Sequence, residues 1–259
     1  MTRFLHLLAA AVATVALGGC ASMEDSTRQR QVASVLAYLY PGSGNVPTMA
    51  DATADIRVPF RIGVAFVPDT ASPQFRLPES DRLKLATKVR DAFTGYPFIR
   101  EIIAVPSVYL EPGGGFANLD RIASLLKLDV IALISFDQVQ NAGATGSSFL
   151  YWTGVGAYFI QGDQYDILTA VETSVFDVKS RRLLMRAGGV SNIKGSATMV
   201  GFSELAREAR TRGFDEAMTD MIGKLDTEVK AFRAQAPMDP NIRLILPPGY
   251  DPNATRVAP

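Results

Sequence analysis

Arg61-Ile62-Gly63-Val64-Ala65-Phe66-Val67 and Asp129-Val130-Ile131-Ala132-Leu133-Ile134-Ser135-Phe136 are the two stretches that decide the fold of this 259-residue chain. Each is apolar at consecutive positions, so both faces of an extended segment would carry apolar side chains. Strands that are covered on both faces are typical of the centre of a parallel sheet. The two stretches therefore predict two central strands of an α/β fold.

Helical patterns separate these strands along the chain. Ser80 is predicted to cap a helix that ends at Gly95, and Asn118 is predicted to cap a second helix. A strand over Phe98–Val105 lies between the two helices. Strands that alternate with helices of this length imply right-handed crossovers and a βαβαβ half-sheet. The buried stripes are expected to be Leu83, Ala86, Val89 and Phe93 in the first helix, and Leu119, Ile122, Ala123 and Leu126 in the second.

The second half of the chain has strand-like segments without helices between them, at residues 151–160, 166–178 and 183–194. Short polar turns such as Lys179-Ser180-Arg181 connect them, so this half is predicted to be antiparallel. A long helix from Ser203 to about Ala234 follows. The fold class is thus α/β, with a three-layer mixed sheet. The stripe of the long helix is Leu205, Ala209, Phe214, Ala217, Met218, Met221, Leu225, Val229 and Phe232, with Gly213 and Gly223 weakening the helix or marking close packing.

The amino terminus carries the strongest motif. Arg3 precedes a short apolar run that ends in Leu17-Gly18-Gly19-Cys20. An apolar run of this length with small residues before a cleavage point is typical of a removed secretory signal. The tetrapeptide resembles the lipobox of bacterial lipoproteins, in which the cysteine becomes the lipidated first residue, and Ala21-Ser22 lacks an inner-membrane retention signal. We expect a signal at 1–19, a lipidated Cys20 and tether over 20–59, an α/β domain over 60–236 and a Pro-rich tail over 237–259.

Composition excludes several kinds of chemistry. Cys20 is the only cysteine, and the only histidine, His6, lies in the expected signal. Ser-His-Asp and Cys-His nucleophiles, and zinc sites built on His or Cys, therefore have no ligands or bases in the processed chain. The 26 Lys and Arg residues balance 26 Asp and Glu residues, so no basic surface for nucleic acid is predicted. No cofactor or metal site is expected either.

The tether and the tail each contain one predicted element. Val32, Val35, Leu36 and Leu39 have helical spacing within 31–40. This helix would dock on the domain or bind a partner. In the tail, an edge strand is predicted at 242–246.

Candidate catalytic patterns are weak. Gly113-Gly114-Gly115 precedes a helix but lacks the residues of a phosphate-binding loop. Ser191-Asn192-Ile193-Lys194 matches Ser-x-x-Lys, yet it falls in a strand and not on a helical turn. Glu172 and Asp177 are five apart on a strand and point to opposite faces. Asp137, at the expected carboxyl end of a central strand, is a candidate for ligand binding or for capping a turn.

The segment Gln138–Gly162 contains no charged residue and holds the only tryptophan, Trp152, together with Tyr151 and Tyr158. Three interpretations are open: a buried strand after a flexible loop, an aromatic surface for a partner, and a hairpin that touches the bilayer. Tyr151, Trp152 and Tyr158 are the candidate partner-binding residues.

The lipobox, the run Leu36-Ala37-Tyr38-Leu39-Tyr40-Pro41, the strand at 61–68 and the segment 175–187 together resemble the rhombotarget lipoproteins. That family is associated with rhombosortase, a protease that processes Gly-Gly-bearing tails, and it implies no catalytic residues. This chain departs from the tailed members at Pro247–Pro259. The strand at 171–178 and the turn after it are also similar to periplasmic domains of the curli-secretion channel and of lipoproteins that activate peptidoglycan synthases.

These observations predict a non-enzymatic lipoprotein that is anchored to the periplasmic face of the outer membrane by lipid, such as palmitate, on Cys20. It would bind another envelope protein, of unknown identity, as an accessory component of an envelope or export system. One alternative is an oligomeric outer-membrane export channel subunit. A second alternative is an envelope enzyme that uses carboxylate or Ser/Lys chemistry.

Overall fold

A computed structural model describes residues 27–42, 53–69, 76–144, 163–198 and 201–250. Two short 3-10 helices lie at Ser107–Tyr109 and Ala236–Met238. The strands are β1 (Thr27–Ala33), β2 (Ala54–Arg57), β3 (Phe60–Phe66), β4 (Ile99–Ala104), β5 (Val130–Ala144), β6 (Asp163–Asp177), β7 (Leu183–Ala197) and β8 (Ile242–Ile245), and the helices are α1 (Val35–Leu39), α2 (Glu79–Phe93), α3 (Gly115–Leu126) and α4 (Phe202–Gln235).

The main sheet has the strand order β4-β3-β5-β6-β7, and β1 also pairs with β5. β3 is parallel to both of its neighbours, so that Ile62 lies beside Ile102 of β4 and Val130 of β5. Val64 and Ile131 are 1% and 0% exposed. The predicted central parallel strands are confirmed, and the reason is that their apolar residues are covered on both faces.

The second half of the sheet is antiparallel, as predicted. The hydrogen bonds between β5 and β6 show this direction, because residue numbers rise along one strand and fall along the other. The Val178 amide donates to the Asp129 carbonyl, and the Ser135 hydroxyl donates to the Glu172 carbonyl. The hairpin turn between β6 and β7 is closed by Asp177, whose carboxylate accepts a hydrogen bond of 2.7 Å from the Ser180 amide. A side chain that closes its own turn in this way explains why the short polar stretch forms a hairpin.

The main sheet lies between two helical layers. Val175 of β6 faces the side on which α2 and α4 lie, since all three contribute to one apolar surface. The next residue, Phe176, must point to the opposite face. There its ring makes an edge-to-face contact with Phe116 of α3, with centroids 6.4 Å apart. The three-layer α/β class predicted from sequence is therefore confirmed.

The chain forms two compact units, and β1, β5, β6, β7 and α4 contribute residues to both. Of the described residues, the first unit comprises 27–29, 140–144, 163–167, 193–198 and 201–209, and its described core is small. Its core residues are Tyr165, Ile167, Ile193, Ala197 and Ala209, with Phe202 packed against them. The second unit comprises Arg30–Val139, Leu168–Asn192 and Arg210–Pro259 and contains most of the buried apolar side chains.

Two predicted helix starts are wrong. The α2 helix begins after Pro78 and not at a Ser80 cap, and Leu85 is buried where Leu83 was expected. Asn118 lies inside α3, which begins at Gly115. Its side chain accepts a hydrogen bond from the Glu111 amide and donates to the Tyr109 carbonyl, so it closes the preceding loop instead of capping the helix.

The helix predicted over 31–40 is also wrong in part. Thr27–Ala33 is the strand β1, and only Val35–Leu39 is helical, capped by Ser34. Leu36, expected in the apolar stripe, is 70% exposed, whereas Tyr38 is buried. The Tyr38 hydroxyl donates to the Asn118 side-chain oxygen at 2.6 Å. Burial raises the pKa of Tyr38, and the nearby Glu111 carboxylate raises it further.

The long helix α4 is confirmed with bounds one residue beyond those predicted. Leu205, expected in its stripe, is 41% exposed. Gly213 marks close packing, because a Cβ atom there would lie 2.7 Å from the Thr169 hydroxyl. Gly189 of β7 is tighter still, since its Cβ would lie 2.1 Å from the Ala217 carbonyl oxygen. Gly223 has open space around it and marks no close contact.

The predicted strand near the carboxyl terminus is present as β8, but its partner was not foreseen. β8 pairs in parallel with β2 over four residues, so that Asp55 lies beside Arg243 and Ile56 beside Leu244. These two strands belong to the stretches assigned from sequence to the tether and the tail. The boundaries at 59 and 236 stay a prediction. Within the described ranges, no helix has both the length and the apolar character that a membrane crossing requires.

Candidate functional site

The second unit contains an apolar cavity of about 1220 Å³ on the sheet face that α2 and α4 cover. Its floor lies at the amino-terminal ends of the parallel strands, where Ile62, Ile99 and Val130 line it. Ligands of open α/β sheets usually bind beyond the carboxyl ends of the strands. The cavity is thus at the opposite end of the parallel strands from the carboxyl end, where the sequence analysis placed Asp137 as a candidate for ligand binding or for capping a turn.

The walls of the cavity come from the last turns of two helices. Val89 and Phe93 line it from α2, and Leu225 and Val229 line it from α4. These side chains belong to the predicted apolar stripes of the two helices. The ends of the helices therefore present apolar side chains to the cavity as well as to the packed core.

The roof is the two-stranded sheet of β2 and β8, which contributes Ile56, Ile242 and Leu244. Between these two strands, Arg243 donates two hydrogen bonds to the Asp55 carboxylate, at 2.9 and 2.6 Å. The hydrogen bond from Arg243 lowers the pKa of Asp55, and the same bond raises the pKa of Arg243. Two-stranded sheets have little stability of their own. The paired charges and the apolar contacts beneath them hold this roof in place.

Charged side chains lie around the cavity and are engaged in ion pairs. Lys230 pairs with Asp226 at 2.6 Å, and Asp239 pairs with Arg182 at 3.4 Å. Among the described residues, buried side-chain N or O atoms without a hydrogen-bond partner belong to Gln29, Gln31, Arg61, Gln138 and Thr173, and none of these five lines the cavity. The described lining is therefore mainly apolar, and its charged residues Lys230 and Asp239 are held in ion pairs.

A smaller pocket of about 430 Å³ lies beside the turn between β6 and β7. Several of its charged residues have structural partners: Arg181 pairs with Asp120 at 3.0 Å, and Asp129 accepts from the Arg61 amide at 2.9 Å. Arg181 also lies 5.2 Å from the centre of the Phe116 ring. These contacts hold the hairpin turn against α3, so the pocket is explained by the fold.

The candidate catalytic residues are not brought together. Asp137 lies within β5, not at its end, and accepts a hydrogen bond of 2.9 Å from Arg30. The Ser191 hydroxyl donates to the Gly213 carbonyl at 2.7 Å, and Lys194 pairs with Asp166 at 3.4 Å.

The other candidates are equally separate. Asp177 closes its own turn, while Glu172 is exposed on the same strand. The described residues contain no group of three or more His, Cys, Asp or Glu side chains placed to hold a metal. Cys20, Tyr151, Trp152 and Tyr158 lie outside the described residues.

Sequence reasoning missed the cavity. The single signal for it was the alternation in Ile242-Arg243-Leu244-Ile245, which was interpreted as an edge strand. Alternation shows that one face of a strand is apolar but not what that face covers.

No family model matches the chain, and no curated protein matches it. Solved structures that match this chain with low TM-scores include the following three. A PelC dodecamer from Paraburkholderia phytofirmans is 11% identical and covers 76% of this chain and 99% of its own, with a TM-score of 0.27. A DUF330 protein from Xanthomonas campestris is 10% identical, and the match covers 74% of this chain and 93% of that protein. Its TM-score is 0.34. A neuraminyllactose-binding hemagglutinin homolog from Helicobacter pylori is 10% identical, and the match covers 78% of this chain and 98% of that protein. Its TM-score is 0.38. Scores this low carry no functional argument, and the rhombotarget resemblance is not confirmed.

Proposed function

We propose that this chain is a lipoprotein of the outer membrane, tethered through Cys20, that works by binding and not by catalysis. The observation that carries the proposal is Leu17-Gly18-Gly19-Cys20, in which the only cysteine of the chain occupies the one position that lipidation uses. Its role would be that of an accessory component that binds another protein of the envelope.

Three observations support a binding role. The only histidine, His6, lies inside the proposed signal, which leaves the processed chain without an imidazole for proton transfer. Two candidate acids are used structurally, since Asp137 pairs with Arg30 and Asp177 closes a turn. The cavity of about 1220 Å³ in the second unit is mainly apolar, and such cavities are typical of binding sites.

Replacing Cys20 tests the anchor. We expect Cys20→Ala to release the protein from washed membranes, because stable anchoring needs more than one acyl chain and this variant could carry none on residue 20. Ser22→Ala, which leaves the lipobox intact, is the matched control and should remain membrane-bound. Fractionation with and without detergent measures both. A Cys20→Ala protein that still needs detergent for release would contradict the proposal, and recovery of the wild type in inner-membrane fractions would contradict the outer-membrane location.

The uncharged aromatic segment is the proposed contact for the partner. Changing Tyr151, Trp152 and Tyr158 to Ala should abolish capture of the partner that crosslinks in intact cells, while the melting temperature stays nearly unchanged, because aromatic side chains dominate interface energies. Tyr109→Ala is the control, since this tyrosine is 44% exposed elsewhere on the chain.

A different result would redirect the proposal. If each aromatic substitution instead destabilises the protein by about 3–5 kcal/mol, the three residues are core and not a contact surface. Rings of the wild-type protein in detergent would favour the export channel subunit over an accessory component.

A further inference from the structure

We propose that the apolar cavity of the second unit binds the acyl chain of a lipid. The proposal goes beyond the anchoring and partner binding described above, because it assigns a ligand to described residues of the second unit, whereas the anchor was assigned to Cys20 and the partner contact to Tyr151, Trp152 and Tyr158. It rests on the size and the lining of the cavity.

Size is the first argument. Pockets for small ligands commonly occupy about 300–1,000 Å³. This cavity, at about 1220 Å³, is larger. It extends from the floor at Ile62 and Val130 to the roof at Ile56 and Leu244, and all four of these side chains are aliphatic. The cavity therefore has room for a long hydrocarbon chain, and its aliphatic lining matches the chemistry of such a chain.

The backbone of the floor favours an acyl chain over a peptide. A peptide segment in the cavity would bury its own N–H and C=O groups, and each of these needs a partner. β3 is already paired on both sides, with β4 and β5, so the centre of the floor has no backbone groups to offer. An acyl chain has no polar group along its length and gains from apolar burial alone.

Charged residues also occur in the lining. Lys230, Arg233 and Arg243 are the cations among the described lining residues, and Asp239 is the one anion among them. Lys230 pairs with Asp226, Arg243 pairs with Asp55, and Asp239 pairs with Arg182. The choice of an acyl chain therefore rests on the apolar lining and not on the charges around it.

The experiment uses photoactivatable lipids on isolated envelope membranes that contain the full-length protein. One probe is a palmitic acid analogue with a diazirine in the chain and a terminal alkyne, and the other is a phosphatidylethanolamine that carries the same chain. After irradiation, the labelled residues are mapped by peptide mass spectrometry. We expect label on the peptides that contain Val229 and Leu244. Since the fatty acid is added directly, this arm does not depend on lipidation of Cys20.

Matched variants make the result specific. Val229→Glu places a charge in the wall of the cavity and should reduce labelling at least tenfold. Val190→Glu makes the same change at a valine that is 60% exposed, outside the cavity lining, and should label like the wild type. If Val229→Glu does not fold, Val229→Trp fills the space without adding a charge and should also reduce labelling.

The two probes separate the sources of the chain. Label from the fatty acid alone supports a site for free fatty acids, and label from both probes supports a site that also accepts phospholipid. Equal labelling of the wild type and a folded Val229 variant would overturn the proposal. So would label that lies only outside the lining segments, or a protein segment that crosslinks into the cavity while neither lipid does.

Discussion

Ile131→Asp is expected to abolish cooperative folding. Ile131 is fully buried in β5, where it lies beside Gly63 of the neighbouring parallel strand. Burying a carboxylate without a partner costs several kcal/mol, which is a large part of the ~5–15 kcal/mol that stabilises a typical domain. Val64→Asp should have the same effect, since Val64 is 1% exposed in β3. Thermal unfolding followed by circular dichroism measures both.

The control for this prediction is Leu125→Asp on α3. Leu125 is 65% exposed, so the same kind of substitution should change stability by about 0.5 kcal/mol or less. Ile131→Val, which only removes a methylene, should cost ~0.5–1.5 kcal/mol. A soluble Ile131→Asp protein with a cooperative melt near that of the wild type would show that β5 is not a central strand.

Asp69→Asn is expected to cost ~3–5 kcal/mol, because it removes the charge opposite a buried arginine. The Asp69 side chain is fully buried and accepts from the Arg82 guanidinium, whose side chain is 7% exposed. Arg82 also donates to the Leu77 carbonyl at 3.0 Å, so it is held in place when its partner is changed. The substitution keeps the shape of the side chain and leaves a buried cation without its counter-charge. Urea unfolding of the wild type and the variant gives the difference.

Asp91→Asn is the matched control. Asp91 pairs with Arg90 at 2.9 Å, but the two side chains are 62% and 43% exposed. Exposed pairs contribute ~0–1 kcal/mol, so the urea midpoint should hardly move. A double variant, Asp69→Leu with Arg82→Met, removes both buried charges and should recover much of the lost stability. Similar losses of stability in the Asp69 and Asp91 variants would mean that the buried Asp69–Arg82 pair stabilises the fold no more than an exposed pair does.

The parts of the fold that were predicted correctly depend on local patterns. β3 and β5 are continuous apolar runs, and α4 has an apolar stripe over most of its length. The turn at Lys179-Ser180-Arg181 forms because the Asp177 carboxylate accepts a hydrogen bond from the amide of Ser180, three residues later. Each of these features depends on residues that are close together in the sequence, so the sequence contains the full signal.

The incorrect predictions arise where distant contacts override local preference. Val32 and Val35 have helical spacing, but Thr27–Ala33 gains strand pairing with β5 and becomes extended. Asn118 is a residue type that often caps helices, but its side chain instead hydrogen-bonds to Tyr38 and to the loop before α3. Helix propensity is a weak preference, and tertiary contacts commonly reverse it.

The cavity could not be predicted either, because it also depends on contacts between distant parts of the chain. Its floor, walls and roof come from β2 to β5, from the ends of α2 and α4 and from β8. Each of these segments has an apolar face, which the sequence does show. The space between the faces depends on how far apart the elements are held, and hydrophobic periodicity contains no information about that distance.

The pairing of β2 with β8 has a consequence for the order in which the protein folds. Asp55 and Arg243 are 188 positions apart, so β2 has no strand partner among the described residues until β8 has been made. Contacts between such distant residues close a long loop and form late, whereas the neighbouring β3, α2 and β4 assemble from local contacts. Until β8 pairs with β2, the apolar residues that line the cavity are exposed to water. The chain is then at its most prone to aggregation, and the pairing of β8 ends that exposure.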